Sequence, residues 1–258
     1  MNKDNQIFEN IIIYLGIYFL CSLLIAGILI VFMGNIDFNI MTLLSSILTI
    51  VCLFLLFKNR NISLYRYCSF KKMKFSELIL LIFMGLIFNM VLEIMNITLK
   101  LYKYFPDYYK YQDFYNKIGN YKVNFLTVFL SVVIIAPIVE EIIFRGLIFN
   151  ELRKELSIYT AIIIQSAIFA IIHGSLYQGF YAFLLGIFLS VMYYLTESIW
   201  APIIIHISSN LIGLLGGLFD NIIHNMNKIE STFYFFLGCI LLIITIKFFY
   251  SQRKKCYM

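Results

Sequence analysis

Charge is what this chain has least of. Asp, Glu, Lys and Arg make up 13% of its 258 residues, roughly half the ~25% of an ordinary soluble domain. Its apolar residues are not interrupted by the polar faces that a water-exposed helix requires. A water-soluble enzyme, a disordered chain and a coiled coil are thereby excluded. The ~10-residue alternating strands of a membrane β-barrel are missing too. The five cysteines (Cys21, Cys52, Cys68, Cys239, Cys256) are scattered without a C-x-x-C pair, so they read as small apolar fillers or membrane-edge thiols, not a disulfide framework or zinc cluster. There is no internal repeat and no Gly/Ser linker, which argues for one domain over residues 1–258. The first apolar run, Ile11 to Met33, is too long for a signal-peptide core and lacks an A-x-A-like end, so it reads as a retained span.

What fills the chain is hydrophobic surface: 62% of residues by the AVILMFWYC count, with a mean hydropathy of +0.88. Uninterrupted apolar segments of ~20 residues are what a bilayer core demands. The expected fold class is therefore all-α, a polytopic transmembrane bundle of about eight helices. The spans run roughly from Ile11 to Met33, Ile40 to Phe57, Glu77 to Leu99, Val123 to Phe149, Ile158 to Leu176, Gly179 to Leu195, Ile199 to Leu218 and Phe233 to Phe249.

Lys and Arg supply the direction. The loop 58–75 carries Lys58, Arg60, Arg66, Lys71, Lys72 and Lys74, the loop after the fourth span Arg153 and Lys154, and the C-terminal tail Arg253, Lys254 and Lys255. With eight spans these fall on one face with the N-terminus, and counting Lys3, Arg145 and Lys247 there gives fourteen basic residues against six opposite. The positive-inside rule makes that face cytoplasmic. The net charge of +6 then reports topology and anionic headgroups, with no nucleic-acid partner implied. The segment Leu101–Lys122 holds Tyr102, Tyr104, Tyr108, Tyr109, Tyr111, Tyr115 and Tyr121, which fits an aromatic belt in the headgroup layer better than a substrate-gating flap.

Ionisable groups inside spans are costly, about 2.5–3.5 kcal/mol at the bilayer centre, and mark function by default. Here they cluster in the second half. The fourth span, APIVEEIIFRGLIF, carries Glu140, Glu141 and Arg145; the fifth, AIFAIIHGSL, carries His173 four residues after Phe169; the seventh, APIIIHISSNL, carries His206 four residues before Asn210. His224 falls outside a span and receives no role. At 3.6 residues per turn Glu141 and Arg145 share a face and pair, while Glu140, turned by ~100°, faces elsewhere. His206 and Asn210 also share a face, and Phe169 can wall the pocket beside His173. From the cytoplasmic end, Glu140 lies ~15 Å along its helix, His173 ~22 Å and His206 ~10 Å, so helix tilt lets them meet at one depth. Pro137 loosens the wall beside Glu140 or merely kinks its helix; Pro202 fits a first helical turn. Singly, each motif is equally well a structural contact between helices. Together, a carboxylate, two imidazoles and an amide are the parts of a hydrolytic site.

The ordered set E-E-x-x-x-R, F-x-x-x-H and H-x-x-x-N, spread over separate spans within 123–218, resembles the CPBP family, also called Abi. That family comprises the type II CAAX prenyl endopeptidases and bacteriocin-processing relatives. The resemblance implies an intramembrane endopeptidase in which Glu140 and His173 activate a water, His206 and Asn210 stabilise the oxyanion, and Glu141 with Arg145 braces the site beside Phe169. Members have also been described as metalloproteases. Glu140, His173 and His206 would be the zinc ligands in that version, but no H-E-x-x-H occurs, and a metal-free reaction without cofactor is the first expectation. The implied partners are membrane lipid and a hydrophobic or lipidated peptide, such as a pheromone or bacteriocin leader. A composition rich in Ile, Lys, Asn, Tyr and Phe suggests a bacterial cell membrane. The alternatives are a non-catalytic scaffold or bacteriocin self-immunity protein that keeps the motifs as polar contacts and, more weakly, a transporter, for which the halves show no inverted repeat.

Overall fold

Between the apolar runs lie residues that stop one helix and start the next. Asp37 accepts hydrogen bonds from the N–H groups of Asn39 and Ile40, Ser157 from Thr160, Ser175 from Gln178, and Asn227 from Ile229 and Glu230. Each satisfies donors that the first turn of a helix leaves open. At the other ends Lys100 and Glu197 close helices in the left-handed conformation, at φ 52° and 50°.

A computed structural model describes residues 3–110, 113 and 124–256, with the side chains of residues 3–5, 216–224 and 255–256 left out of the description. The chain is all-helical. We number the long helices α1 (Lys3–Met33), α2 (Phe38–Asn59), α3 (Phe75–Leu99), α4 (Phe125–Leu152), α5 (Ile158–Ile171), α6 (Leu176–Thr196), α7 (Trp200–His224) and α8 (Lys228–Cys256). Six are long and apolar enough to cross a membrane, and two shorter apolar stretches, Ile158–Ile171 and Trp200–Leu215, bring the number to the eight expected. This is an integral membrane protein.

Two of the expected boundaries move. The fifth span does not reach Leu176: α5 stops at Ile171, because Gly174 takes a left-handed φ of +65° and Ser175 already caps the next helix. His173 therefore lies in a turn and not within a span. His224 belongs to no loop, since α7 runs to it. Tyr111, Tyr115, Tyr121 and Val123 fall outside the described residues.

The loops gather into two ends. At one, Arg60 donates to Asn10, Tyr67 hydrogen-bonds Glu151, the Ile199 N–H reaches the Ser69 carbonyl, and Glu197 joins Lys71 (2.7 Å) and Arg253 (3.3 Å). The three basic segments thus meet at the end that also carries Asn10 of α1 and Arg253 of α8. At the other end the 105–108 stretch packs on the start of α6.

Close helix approach fixes the core. A Cβ on Gly85 of α3 would run into the Ile205 carbonyl and come within 2.7 Å of Ser208 Cβ, so the α3–α7 contact exists only because that residue is glycine. Gly186 gives α6 the same approach to Ser166 of α5, at 2.9 Å. α4 is wound unevenly: its segments Phe129–Ile135 and Ile142–Phe149 follow the wider i→i+5 pattern on either side of the α-helical turn Ala136–Glu141. Such wide turns recur at functional sites.

Candidate active site

Both carboxylates of α4 sit in that α-helical turn, and the ~100° between neighbours on a helix separates their surroundings. Glu141 points into the core with none of its side chain exposed; Glu140 keeps 15%. Arg145, also wholly buried, donates to Glu141 Oε1 at 2.8 Å, the i,i+4 pair that spacing predicts, and to the Gly186 carbonyl of α6 at 3.2 Å. The guanidinium lies 4.6 Å from the centre of the Phe169 ring, where the electron-rich face favours a cation.

The same carboxylate oxygen holds a second donor, which spacing does not reveal. His206 of α7 brings Nδ1 to 2.7 Å from Glu141 Oε1, and its Nε2 lies 3.8 Å from Glu140 Oε2. A carboxylate only accepts, so Nδ1 carries the proton and Nε2 faces Glu140. Glu141 thus does more than brace α4: it orients the imidazole of another helix. Phe169 stands edge-on between the two histidines, with ring centroids 4.8 Å from His173 and 6.0 Å from His206. It is fully buried and walls the site as its position in the F-x-x-x-H motif suggested.

His173, in its turn, hydrogen-bonds through Nδ1 to the Phe169 carbonyl at 2.7 Å. Since a carbonyl only accepts, Nδ1 bears the hydrogen of that bond. Asn210 of α7 does something sequence spacing left open. In the wide pattern of α4 the Ala136 N–H bonds Ser131, and the next donor in register, Pro137, has no N–H for Val132. Asn210 Nδ2 donates to the Val132 carbonyl at 2.9 Å and fills that vacancy. One amide hydrogen of Asn210 is therefore committed to holding α7 against the proline site. Pro202 lies in the first turn of α7, as expected.

All seven residues singled out in the sequence thus lie on three neighbouring pieces of the bundle, linked as a chain from Asn210 and His206 through the glutamates and Arg145 to Phe169 and His173. Among the described residues no three His, Cys, Asp or Glu side chains are grouped to hold a metal ion. The set Glu140, His173 and His206, as placed, does not fit a zinc site. Among the polar positions within helices that escaped the sequence reading are a buried amide and a half-buried acid. Gln165 of α5 hydrogen-bonds Ser190 of α6 behind the Arg145–Gly186 contact, and Glu93 is an acid within α3. Glu93 was legible as a carboxylate in an apolar run; Gln165 was masked because an uncharged amide is common between helices.

Comparison with known proteins meets this geometry at the same segment. Residues 122–212, about a third of the chain, match the family described as type II CAAX prenyl endopeptidase Rce1-like. A protein of Bacillus subtilis (strain 168) named "Putative membrane peptidase YdiL" is 38% identical over 77 residues, which are 30% of this chain. The matched stretch spans about a third (32%) of that relative's length. No solved structure matches. The segment that carries the three motifs is thus similar to the type II CAAX prenyl endopeptidase Rce1-like family and, in part, to that membrane protein.

Proposed function

We propose that the protein is an intramembrane endopeptidase that cleaves a hydrophobic or lipid-anchored peptide with a water activated by Glu140 and His173. The observation that carries this reading is the seating of His206 between Glu140 and Glu141, with Arg145 and Phe169 behind, inside an otherwise apolar bundle. Glu140, the more exposed carboxylate, takes a proton from the water as its oxygen attacks the peptide carbonyl, and later delivers it to the leaving amine. His173 offers Nε2 to the same water. The oxyanion receives the second amide hydrogen of Asn210 and, when His206 is doubly protonated, its Nε2–H. In that state Glu140, Glu141, Arg145 and His206 sum to zero charge, which limits the cost of holding them in the membrane. The reaction uses no metal. The basic loops lie on the cytoplasmic side of a bacterial membrane.

The test is cleavage of a membrane-anchored hydrophobic peptide by the purified full chain in lipid nanodiscs. Glu140→Ala and His173→Ala are each expected to lower turnover by about 10²–10⁴, the span of general acid–base catalysis. Wild-type turnover in both variants would defeat the assignment. Loss of activity on chelation, restored by Zn²⁺, would replace the metal-free version with a metal-dependent one.

A second reading, a non-catalytic scaffold or self-immunity protein, is favoured by one observation: Asn210 is engaged with the Val132 carbonyl as a helix-to-helix contact. It expects Glu140→Gln to leave cellular function intact while changes at Glu141 or Arg145 destabilise the protein.

A further inference from the structure

The turn that carries His173 is not held by its own helices alone. α5 has fourteen residues, about 21 Å of rise, against the roughly 30 Å hydrocarbon core it would have to cross. After that short rise the chain reverses at residues 172–175, and the backbone donors opened at the start of the next helix need acceptors. The first turn of α6 opens there. Ser175 covers two of its donors: the hydroxyl accepts from Gln178 N–H at 3.2 Å and the carbonyl from Gly179 N–H at 2.8 Å. The Tyr177 N–H is covered from a distant part of the sequence. Asp107 Oδ1 accepts it at 3.2 Å, and Asp107 Oδ2 accepts the Ser175 hydroxyl at 2.6 Å.

The stretch around Asp107 is anchored by rings as well. Phe105 packs edge-on against Tyr177 at 5.6 Å and, tilted, against Phe180 at 5.5 Å, Tyr108 meets Tyr177 at 5.0 Å, and Asn96 of α3 donates to the Tyr177 hydroxyl at 3.0 Å. The Ser175 hydroxyl above all, with the Tyr177 N–H, holds the Asp107 carboxyl below the usual aspartate range. It is therefore an anion at neutral pH, set at the positive end of a helix.

We infer that Asp107 is a positioning residue for His173: residues 105–108, from the end of the bundle opposite the basic loops, clamp the 172–175 turn and so set the distance of the imidazole from Glu140. The clamp acts on one side of the turn, and the hydrogen bond from His173 Nδ1 to the Phe169 carbonyl fixes the other. The consequence for catalysis rests on the peptidase reading above; the consequence for the His173 ring does not.

The chain contains three histidines, so ¹⁵N-histidine labelling of the full protein in nanodiscs gives three imidazoles, assignable by single substitution. Asp107→Ala is expected to shift the His173 signals and leave those of His206 in place. It should also lower kcat about tenfold with KM within about twofold, since small misplacements of a catalytic group are costly. Asp107→Asn keeps an oxygen to accept from Ser175 and Tyr177 and should return most of both effects. It also serves if the alanine variant fails to fold. An unmoved His173 signal in Asp107→Ala, or equal displacement of His173 and His206, would overturn the clamp. If Glu140→Ala proves as active as wild type, the peptidase reading falls, and the imidazole shift still decides the role of Asp107.

Discussion

α1 and α6 are both apolar helices of membrane-spanning length, yet only 11% of the most apolar stretch of α1 is buried inside the protein against 56% of that of α6. α1 turns Phe32, Val31 and Leu23 outward, at 82%, 77% and 68% exposure, toward what would be lipid. α6 sets Gly186, Ser190 and Tyr193 inside, where they meet Arg145, Gln165 and Asn150. The difference teaches that hydrophobicity alone does not sort this bundle. Lipid is as apolar as leucine, so what draws helices together is close packing at small residues and polar contacts that lipid cannot supply. The candidate site includes such contacts, between Arg145, Glu141, His206 and the Gly186 carbonyl.

That contrast makes expected outcomes of graded size. The largest is Arg145→Met, which leaves the Glu141 carboxylate buried with the His206 Nδ1–H as the remaining partner on that oxygen; the loss should be about 3–5 kcal/mol. Thermal unfolding in detergent measures it, and a near-wild-type midpoint would mean that the pair adds little to the core. Gly85→Ala should cost about 1–3 kcal/mol through overpacking against Ile205 and Ser208. It should also displace His206, one residue along from Ile205, so turnover is expected to fall more steeply than stability. A variant that unfolds early yet cleaves normally when folded would uncouple α3 packing from the site. The smallest is Phe32→Leu on the outer face of α1, expected to stay within about 0.5 kcal/mol because it touches no buried partner. If it matched Gly85→Ala in the same unfolding assay, the division between a peripheral and a central set of helices would be broken.

Much of this was legible along the chain. The eight apolar runs, their order and the pairing of Glu141 with Arg145 follow from period and spacing, because a helix brings i and i+4 together whatever surrounds it. The three motifs were also legible as polar residues in places where polarity is costly. Other features were not. The end of α5 before His173 depends on a left-handed glycine and a serine cap, which a hydropathy run passes over. The wide turns of α4 leave the apolar pattern unaltered. The contact of Asn210 with Val132 joins residues 78 apart, and that of Asp107 with Ser175 joins residues 68 apart.

The sequence by itself determined that this chain lives in a bilayer, where its apolar helices fall, and which side chains must find partners there. Those are local consequences of water's exclusion from hydrocarbon and of the helix repeat. Only the tertiary structure decided who those partners are: that one oxygen of Glu141 serves both Arg145 and His206, that Asn210 answers for the proline of α4, and that an aspartate from a distant loop closes the first turn of α6. A buried donor accepts any acceptor of suitable geometry, and which one arrives is settled by packing between helices, where Gly85 and Gly186 permit close approach.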